Sequence, residues 1–342
     1  MLRTKGLKID VSIIIPVYNS SQTVSKTIHS VINQTHRNYE CIIVDDGSDD
    51  GTYEMALQIT KEDKRFKVFK RENQKNNGGS VCRNEGLKIS TGRYIIFLDS
   101  DDLLAPDCLS IRLGKMIQNK QINIGIFNTA IIGKRSMLFT RFTKNPLAGF
   151  LMGNYPWHTM SPIWERNFLV NNLGGFNEGF PRLQDIEIHT RALLDTSVNF
   201  KFFPFSKVDS YYIIGKTTKN DENKKKRQII GYLEFLDQTL KIIGSDKTKR
   251  KHLTKTFFLL IDAIDTIDLN PKIDSRVNSI CQKLEISKFD LKRITLFRYM
   301  MVKMPKYHIF WRELFFFNIY RVLFFSQKIL FSGYHKFKHV GW

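Results

Sequence analysis

Tyr94-Ile95-Ile96-Phe97-Leu98-Asp99-Ser100-Asp101-Asp102 is an apolar run that breaks off into three carboxylates. A short apolar run with a polar cluster at its end reads as a strand buried on both faces, the kind found in parallel sheets. Taken alone, the acidic end fits a solvated turn or a helix N-cap. Carboxylates at alternate positions on a strand end can also reach a divalent cation and a ribose together, and such hard oxygen ligands suit Mg²⁺ or Mn²⁺.

Upstream, apolar runs alternate with helical patterns: VSIIIP from Val11, a helix over about Ser21 to Gln34, YECIIVDD from Tyr39, a helix from Thr52, FKVFK from Phe66 and a helix from Ser80. That rhythm predicts a mostly parallel α/β sheet covered by helices. Three of its strands end in Tyr18-Asn19, Asp45-Asp46 and Asp99-Ser100-Asp101-Asp102. Ligands of open α/β sheets bind outside the carboxyl ends of strands, so the three clusters are expected to line one crevice.

Downstream, a further helix and strand are expected between Pro106 and Ile132. From Met137 to Tyr212 the chain turns irregular and rich in Gly, Pro and aromatic residues, which suits an acceptor-binding region built on loops. Asp221 to Gln228 reads as a solvated linker or helix start, and Ile229 to Ile273 reads as helical. The four cysteines, Cys41, Cys82, Cys108 and Cys281, show no Cys-x-x-Cys spacing and read as buried free thiols. The N-terminus ends its apolar run at Pro16 without a small-residue cleavage site, which reads as a first strand and not a signal peptide.

The chain of 342 residues carries 53 Lys and Arg against 33 Asp and Glu, a net charge of +20. Such an excess attracts phosphate-rich partners. It is concentrated late, because Leu291 to Trp342 holds ten basic residues against the single acid Glu313. The segment from Tyr307 adds thirteen aromatics in 36 residues, but Arg312, Arg321 and Lys328 interrupt every apolar run before it reaches the length of a membrane span, about 20 residues. The favoured reading is an amphipathic helix in the interface of an anionic membrane. A helical hairpin packed on the protein, or a homo-oligomer interface, stays open beside it.

Three further groups of residues stand in order before the acidic strand end: Pro16-Val17-Tyr18-Asn19, Val44-Asp45-Asp46-Gly47-Ser48-x-Asp50, and Asn76-x-Gly78-x-x-x-Cys82-Arg83-Asn84-x-Gly86. Each alone fits a plain turn or cap. In this order and spacing, Val11 to Asp102 resembles the donor-binding half of family 2 glycosyltransferases, inverting enzymes with an A-type, Rossmann-like fold. The resemblance implies that Pro16 and Tyr18 border the nucleotide base and that Asp45 or Asp46 reads a base N–H. It implies that the loop from Gly78 brings Arg83 to the diphosphate, that Asp99 and Ser100 meet the ribose side of the donor, and that Asp101 holds Mn²⁺ or Mg²⁺. Cys82 departs from the small residue usual at its position.

Transfer to a hydroxyl also needs a base, because the acceptor's pKa lies far above neutrality. Leu173-Gly174-Gly175-Phe176-Asn177-Glu178-Gly179-Phe180, followed by Gln184-Asp185-Ile186-Glu187, resembles the family segment that carries it, and Asp185 takes that place. Gln184 stands where the family commonly has Glu, and an N-cap is the alternative reading of Asp185. Glu187 is a rival base, and Trp157, His158, Glu187 and His189 are candidate acceptor contacts; for Trp157, core packing weighs as much, and for His189 a surface position more. The family's later Tyr-Arg pair is replaced by Ser210-Tyr211-Tyr212-Ile213-Ile214, leaving Lys216 or Lys219 to supply a charge.

The resemblance implies a catalytic domain over 1–219, with donor half about 9–105 and acceptor half about 106–219; charge and residue pattern add a basic helical region over 220–342 with the aromatic tail 307–342. It further implies a nucleotide-sugar donor, with UDP as the nucleotide, a lipid-linked or surface-polysaccharide acceptor, and a cytoplasmic position on the inner face of the membrane. Two other classes fit the sequence less well. A sugar nucleotidylyltransferase would want a Gly-rich basic loop after the first strand, and PVYNSSQT has neither. A nucleic-acid-binding protein suits the charge, but carboxylates at the strand ends would repel a phosphate chain.

Overall fold

A computed structural model describes residues 9–71, 78–133, 137–214, 222–264 and 271–286. The chain runs β1 (Val11–Val17), α1 (Val24–Ile32), β2 (Tyr39–Asp45), α2 (Thr52–Thr60), β3 (Phe66–Lys70), α3 (Gly79–Ile89), β4 (Tyr94–Phe97), β5 (Leu103–Leu104), α4 (Cys108–Gln118), β6 (Ile124–Ile126), β7 (Thr129–Ile132) and β8 (Met137–Leu138). It continues with α5 (Pro146–Leu151), β9 (Pro162–Glu165), α6 (Gln184–Leu194), β10 (Phe200–Phe202), β11 (Ser210–Ile213), α7 (Glu222–Ile243), α8 (Lys247–Ile264) and α9 (Pro271–Lys283).

The main sheet has seven strands in the order β10-β6-β9-β4-β1-β2-β3, and every pairing in it is parallel except those of β9. β1, β2 and β4 are buried almost throughout, because helices cover both faces. Ile13, Ile15, Cys41, Ile43 and Ile96 point into the larger core; Ile42 and Val44 face the other way, with Cys82 of α3. α3 lies close on the sheet at Gly86, where a Cβ would come within 2.5 Å of Ile14 Cγ2, so only glycine fits.

β1 sits between β2 and β4, pairing Val17 with Asp45 on one side and Ile14 with Phe97 on the other. The chain therefore reverses its direction of travel across the sheet at β1, and the ends of these three strands share one edge. That is the switch point at which α/β sheets bind ligands.

The irregular stretch expected between Met137 and Tyr212 differs from the loop reading. It inserts β9 antiparallel between β4 and β6 and supplies β8 and β11, two strands of a second, four-stranded sheet ordered β5-β11-β7-β8. Strands of two to four residues are too short to show a period of two in sequence. The helical reading of Ile229 to Ile273 is interrupted at Gly244, whose φ is +53°, and Asp246 then accepts Lys249 N–H at 3.0 Å to start α8. No helix among the described residues is long and apolar enough to cross a membrane.

The chain divides into two compact units, Met1–Val277 and Asn278–Trp342. Of the second, residues 278–286 are described, closing on an Ile286 N–H bond to Cys281 O of 3.0 Å. The aromatic tail at 307–342 lies outside the described residues, as do Lys216, Lys219, Glu72, Asn73 and Asn76. All four cysteines are buried free thiols.

Candidate active site

At the end of β1, Pro16 is half-buried and Tyr18 is 60% exposed, leaving an aromatic face open at the crevice edge. Asn19 follows with φ +46° and accepts Asp49 N–H, which ties this turn to the one after β2. There Asp45 Oδ2 accepts the N–H groups of Gly47 and Ser48, both at 3.0 Å. Asp46 holds Arg71 Nη1 and accepts Gly78 N–H at 2.6 Å.

A chain turning sharply off a strand must satisfy its own N–H groups; Asp45, fully buried, gives Oδ2 to that task, while its Oδ1 has no hydrogen-bond partner among the described residues. Asp46 instead anchors the segment that leads through Gly78 into α3.

Arg83 projects from the first turns of α3, almost fully buried, with Nη2 donating to Asp99 Oδ1 at 2.5 Å. Its Cζ lies 5.2 Å from the centre of the Phe176 ring, which itself packs edge-on against Phe97. Its Nε and Nη1 have no hydrogen-bond partner among the described residues. A buried guanidinium with donors to spare, at the start of a helix, is equipped to take an anion. A Cβ on Gly79 would lie 2.8 Å from Nη1, so a larger residue there would displace the guanidinium.

Asp99, Ser100, Asp101 and Asp102 follow β4 directly. Burial alone would raise the Asp99 carboxyl, but Arg83, helped by His158, holds it below the usual range. Asp101 is raised by burial and then by the charge of Asp99. Asp102 is fully buried and pushed up to about 9 by burial and Asp99; its Oδ1 accepts Ile213 N–H at 3.0 Å while Oδ2 has no partner among the described residues. Ser100 is fixed by Ser20 Oγ at 2.7 Å and by a bond from Thr27 Oγ1 to its carbonyl at 2.9 Å.

One atom each from Asp99, Asp102 and His158 lie within 4.8 Å of one another. The metal-spaced group among the described residues is thus this trio, with Asp101 beside it, whereas the expectation rested on Asp101 alone. Asp102 is the functional candidate that sequence reasoning left without a role; the third carboxylate of the run was its only signal. His158 moves from the expected acceptor face to the carboxylates, its ring 4.7 Å from that of Tyr212.

On the acceptor side, Asn84 of α3 clasps the glycine-rich turn with three bonds: Nδ2 donates to Phe176 O and Glu178 Oε1 at 2.9 Å, and Oδ1 accepts Phe176 N–H at 2.8 Å. Gly175, at φ +80°, lies so near that a Cβ would meet Asn84 Oδ1 at 2.5 Å. Asp185 opens α6, half-buried, after Leu183 at φ +66°, and no side chain caps that helix start. The N-cap alternative for Asp185 therefore falls away.

Tyr155 is raised by burial, then by Tyr232 and by the charge of Asp185. Tyr212 is raised by burial and then by Asp102, Asp101 and Asp99, and lowered by Arg182. Arg182 of the turn before α6 and the strand-end carboxylates thus both act on Tyr212.

Three expected acceptor contacts are corrected. Glu187 is buried and ion-paired through both oxygens to Arg191, at 2.6 and 2.9 Å, and Arg191 in turn holds the carbonyls of Leu173 and Gly175. Trp157, 3% exposed, packs on Phe150, Phe202 and His189 as core. His189, 2% exposed, is stacked on Trp164 with ring centres 5.6 Å apart, and both its nitrogens lack partners among the described residues. It neither lies at the surface nor bonds Asp185.

Burial, with a smaller push from His158, drives the His189 imidazole from the ordinary 6.5 down to about 3. The unfolded chain therefore binds the extra proton, so this contribution to stability is full above pH 6.5 and is lost as pH falls toward 3. At pH 5 the loss is about 2 kcal/mol. His189→Phe should flatten the fall in Tm between pH 7 and pH 4.5 relative to the parent, as read by thermal melts across that range; parallel curves would refute the assignment.

With this geometry in place, relatives can be compared. The profile of glycosyl transferase family 2 matches residues 12–172. The Escherichia coli protein WfgD, named UDP-Glc:alpha-D-GlcNAc-diphosphoundecaprenol beta-1,3-glucosyltransferase, is 32% identical over 194 residues, which cover 50% of this chain and 74% of WfgD. The chain belongs to glycosyl transferase family 2.

Within the family, an uncharacterized glycosyltransferase of Rickettsia conorii is 46% identical over 112 residues, 33% of this chain. The chain spans only 18% of the length of that relative. Among solved folds, Staphylococcus aureus TarS 1–349 in complex with UDP-GlcNAc matches with a TM-score of 0.59 at 16% identity, covering 80% of each chain. The mannosyltransferase PcManGT from Pyrobaculum calidifontis, in complex with GDP-Man and Mn²⁺, matches with a TM-score of 0.50 at 13% identity, covering 85% of this chain and 84% of that one. These likenesses establish the A-type α/β fold for this member of the family.

Proposed function

We propose that this protein is an inverting glycosyltransferase that moves a sugar from a nucleotide-diphosphate sugar, with UDP as the nucleotide, to an acceptor hydroxyl on a lipid-linked or surface glycan. The observation that carries the proposal is the buried Arg83, two of whose nitrogens have no partner among the described residues, set beside the carboxylates at the end of β4. The WfgD name, with its diphosphoundecaprenol-linked acceptor, supports the acceptor class. The position proposed for the enzyme is peripheral, on the cytoplasmic face of the membrane; it rests on the basic aromatic tail of the sequence.

In this reading Tyr18, with Pro16 behind it, takes the base. Arg83 and the N–H groups at the start of α3 take the diphosphate, Asp99 and Ser100 the ribose side, and Asp185 the acceptor proton. The donor set at the end of β4 fits a divalent cation, because a buried Asp102 oxygen and His158 Nδ1 have no partners among the described residues and stand beside Asp99. Asp101, Asp99, Asp102 and His158 are the groups that would hold it; when bound, Mn²⁺ or Mg²⁺ would neutralise charge building on the leaving diphosphate. Asp185 removes the hydroxyl proton as the oxygen attacks the anomeric carbon, while Arg83 stabilises the departing oxygens. One displacement inverts the anomeric configuration.

Donors preorganised toward developing charge act more on the transition state than on the ground state. Arg83→Lys keeps a charge but loses the planar fork, and should lower kcat about 10²-fold with a much smaller change in donor KM. Equal changes in both would assign Arg83 to ground-state binding. The proposal itself is tested by thermal-shift and calorimetric screening of nucleotide sugars with Mn²⁺. Stabilisation by at least one UDP-sugar is the expected result, and none by any nucleotide sugar would overturn it.

A further inference from the structure

We infer that His158 donates a ring nitrogen to the divalent cation at the end of β4, so that the cation is gripped from both halves of the domain and Mn²⁺ is preferred to Mg²⁺. The inference deepens the proposed function and rests on it for the presence of a cation.

Asp102 is fully buried with one oxygen bonded to Ile213 N–H and the other unpartnered, and His158 Nδ1 is likewise buried and unpartnered among the described residues. Buried polar atoms nearly always have partners, so two orphans in one cluster call for an explanation. A ligand atom of each lies within 4.8 Å of the other and of an Asp99 oxygen. Three donor atoms gathered this closely can serve as ligands around a common centre.

The imidazole is also held in place without using its nitrogens. Its ring lies against Tyr212 at 4.7 Å and meets Phe139 edge-on at 5.8 Å. His158 N–H donates to Ser161 Oγ at 3.1 Å, and Ser161 Oγ joins a buried hydroxyl chain through Thr129 Oγ1 to Ser210 Oγ. Arg112 Nη1 grips Met160 O of the same turn at 2.7 Å. A ring so placed, with its nitrogens unspent, is preorganised to coordinate.

The donor set then decides the metal. Carboxylates alone suit Mg²⁺ as well as Mn²⁺, whereas imidazole favours transition metals, and Mg²⁺ dehydrates reluctantly. One neutral nitrogen beside the carboxylates therefore biases the site toward Mn²⁺.

The test uses the full chain with MnCl₂, with and without UDP. Electron spin-echo spectra of the bound Mn²⁺ should show ¹⁴N modulation that changes to a ¹⁵N pattern when the protein is labelled with ¹⁵N-histidine, a measurement that needs no variant. His158→Ala and His158→Gln should abolish the nitrogen signal, weaken Mn²⁺ binding about tenfold or more, and narrow the preference for Mn²⁺ over Mg²⁺. Nitrogen-free spectra under both conditions, or a signal that survives in folded variants, would overturn the inference. Transfer activity with an all-oxygen Mn²⁺ site would sink this inference alone; a nitrogen-coupled Mn²⁺ without any nucleotide-sugar binding would sink the functional proposal alone.

Discussion

Asp185→Asn is expected to lower the rate of sugar transfer by about 10²- to 10⁴-fold, the range general-base catalysis supplies, while UDP-sugar binding stays within about twofold of the parent. The reason is that α6 offers two acids in its first turn but leaves only one uncommitted. Glu187 is buried in its bidentate pair with Arg191, whereas Asp185 is half-buried and caps nothing. Leu183 precedes it in a left-handed conformation, which costs a non-glycine residue about 1 kcal/mol. Strain of that kind collects where a neighbouring side chain must be aimed. Glu187→Gln supplies the contrast: it should lower Tm through loss of the Arg191 clamp on Leu173 and Gly175 while leaving kcat of the folded enzyme nearly unchanged. Single-turnover assays with UDP-sugar and a diphosphoundecaprenol-linked GlcNAc acceptor separate the two. A larger rate loss in Glu187→Gln than in Asp185→Asn would reverse the assignment.

The largest expected effect on stability lies at Arg112 and Asp209. Both are fully buried, and the guanidinium meets the carboxylate through two bonds of 2.8 and 2.6 Å while also reaching Met160 O and Ser210 Oγ. Asp209→Ala leaves a buried guanidinium without its counter-charge and should cost about 3–5 kcal/mol. Urea denaturation would register this as a lower midpoint at unchanged slope. The double variant Arg112→Met, Asp209→Leu should regain much of the loss, because neither charge is then stranded. A single variant as stable as the parent would show that the pair is not closed in solution.

That pair also marks a limit of reading the chain from sequence. Arg112 and Asp209 stand 97 residues apart with nothing in either's neighbourhood to suggest the other. Arg112 lies in a helical pattern in which a lone charge reads as solvated. By contrast, β1 to β4 were legible, because strands buried on both faces need unbroken apolar runs and their ends must carry whatever the crevice binds. β9 was not legible: four residues that enter an existing sheet take their direction from β4 and β6 and show no pattern of their own.

The site divides in the same way. Arg83, Asp99 and the glycine-rich turn were recognisable, since each sits in a local pattern of fixed spacing. The burial of Asp45 was hidden, because nothing local in the sequence shows that one of its two oxygens closes the turn after β2. The placement of His158 and His189 was hidden for a related reason. Both belong to aromatic-rich stretches, and only packing shows that His189 stacks inside the core while His158 turns toward Asp99 and Asp102.

The most direct measurement is product analysis of a single turnover by the full chain with UDP-sugar, acceptor and Mn²⁺, resolved by NMR and ion-exchange chromatography. Free UDP, an inverted anomeric centre and silence in the presence of chelator are the predicted result. Pyrophosphate as the product, retained configuration, or undiminished transfer in chelator would contradict the account.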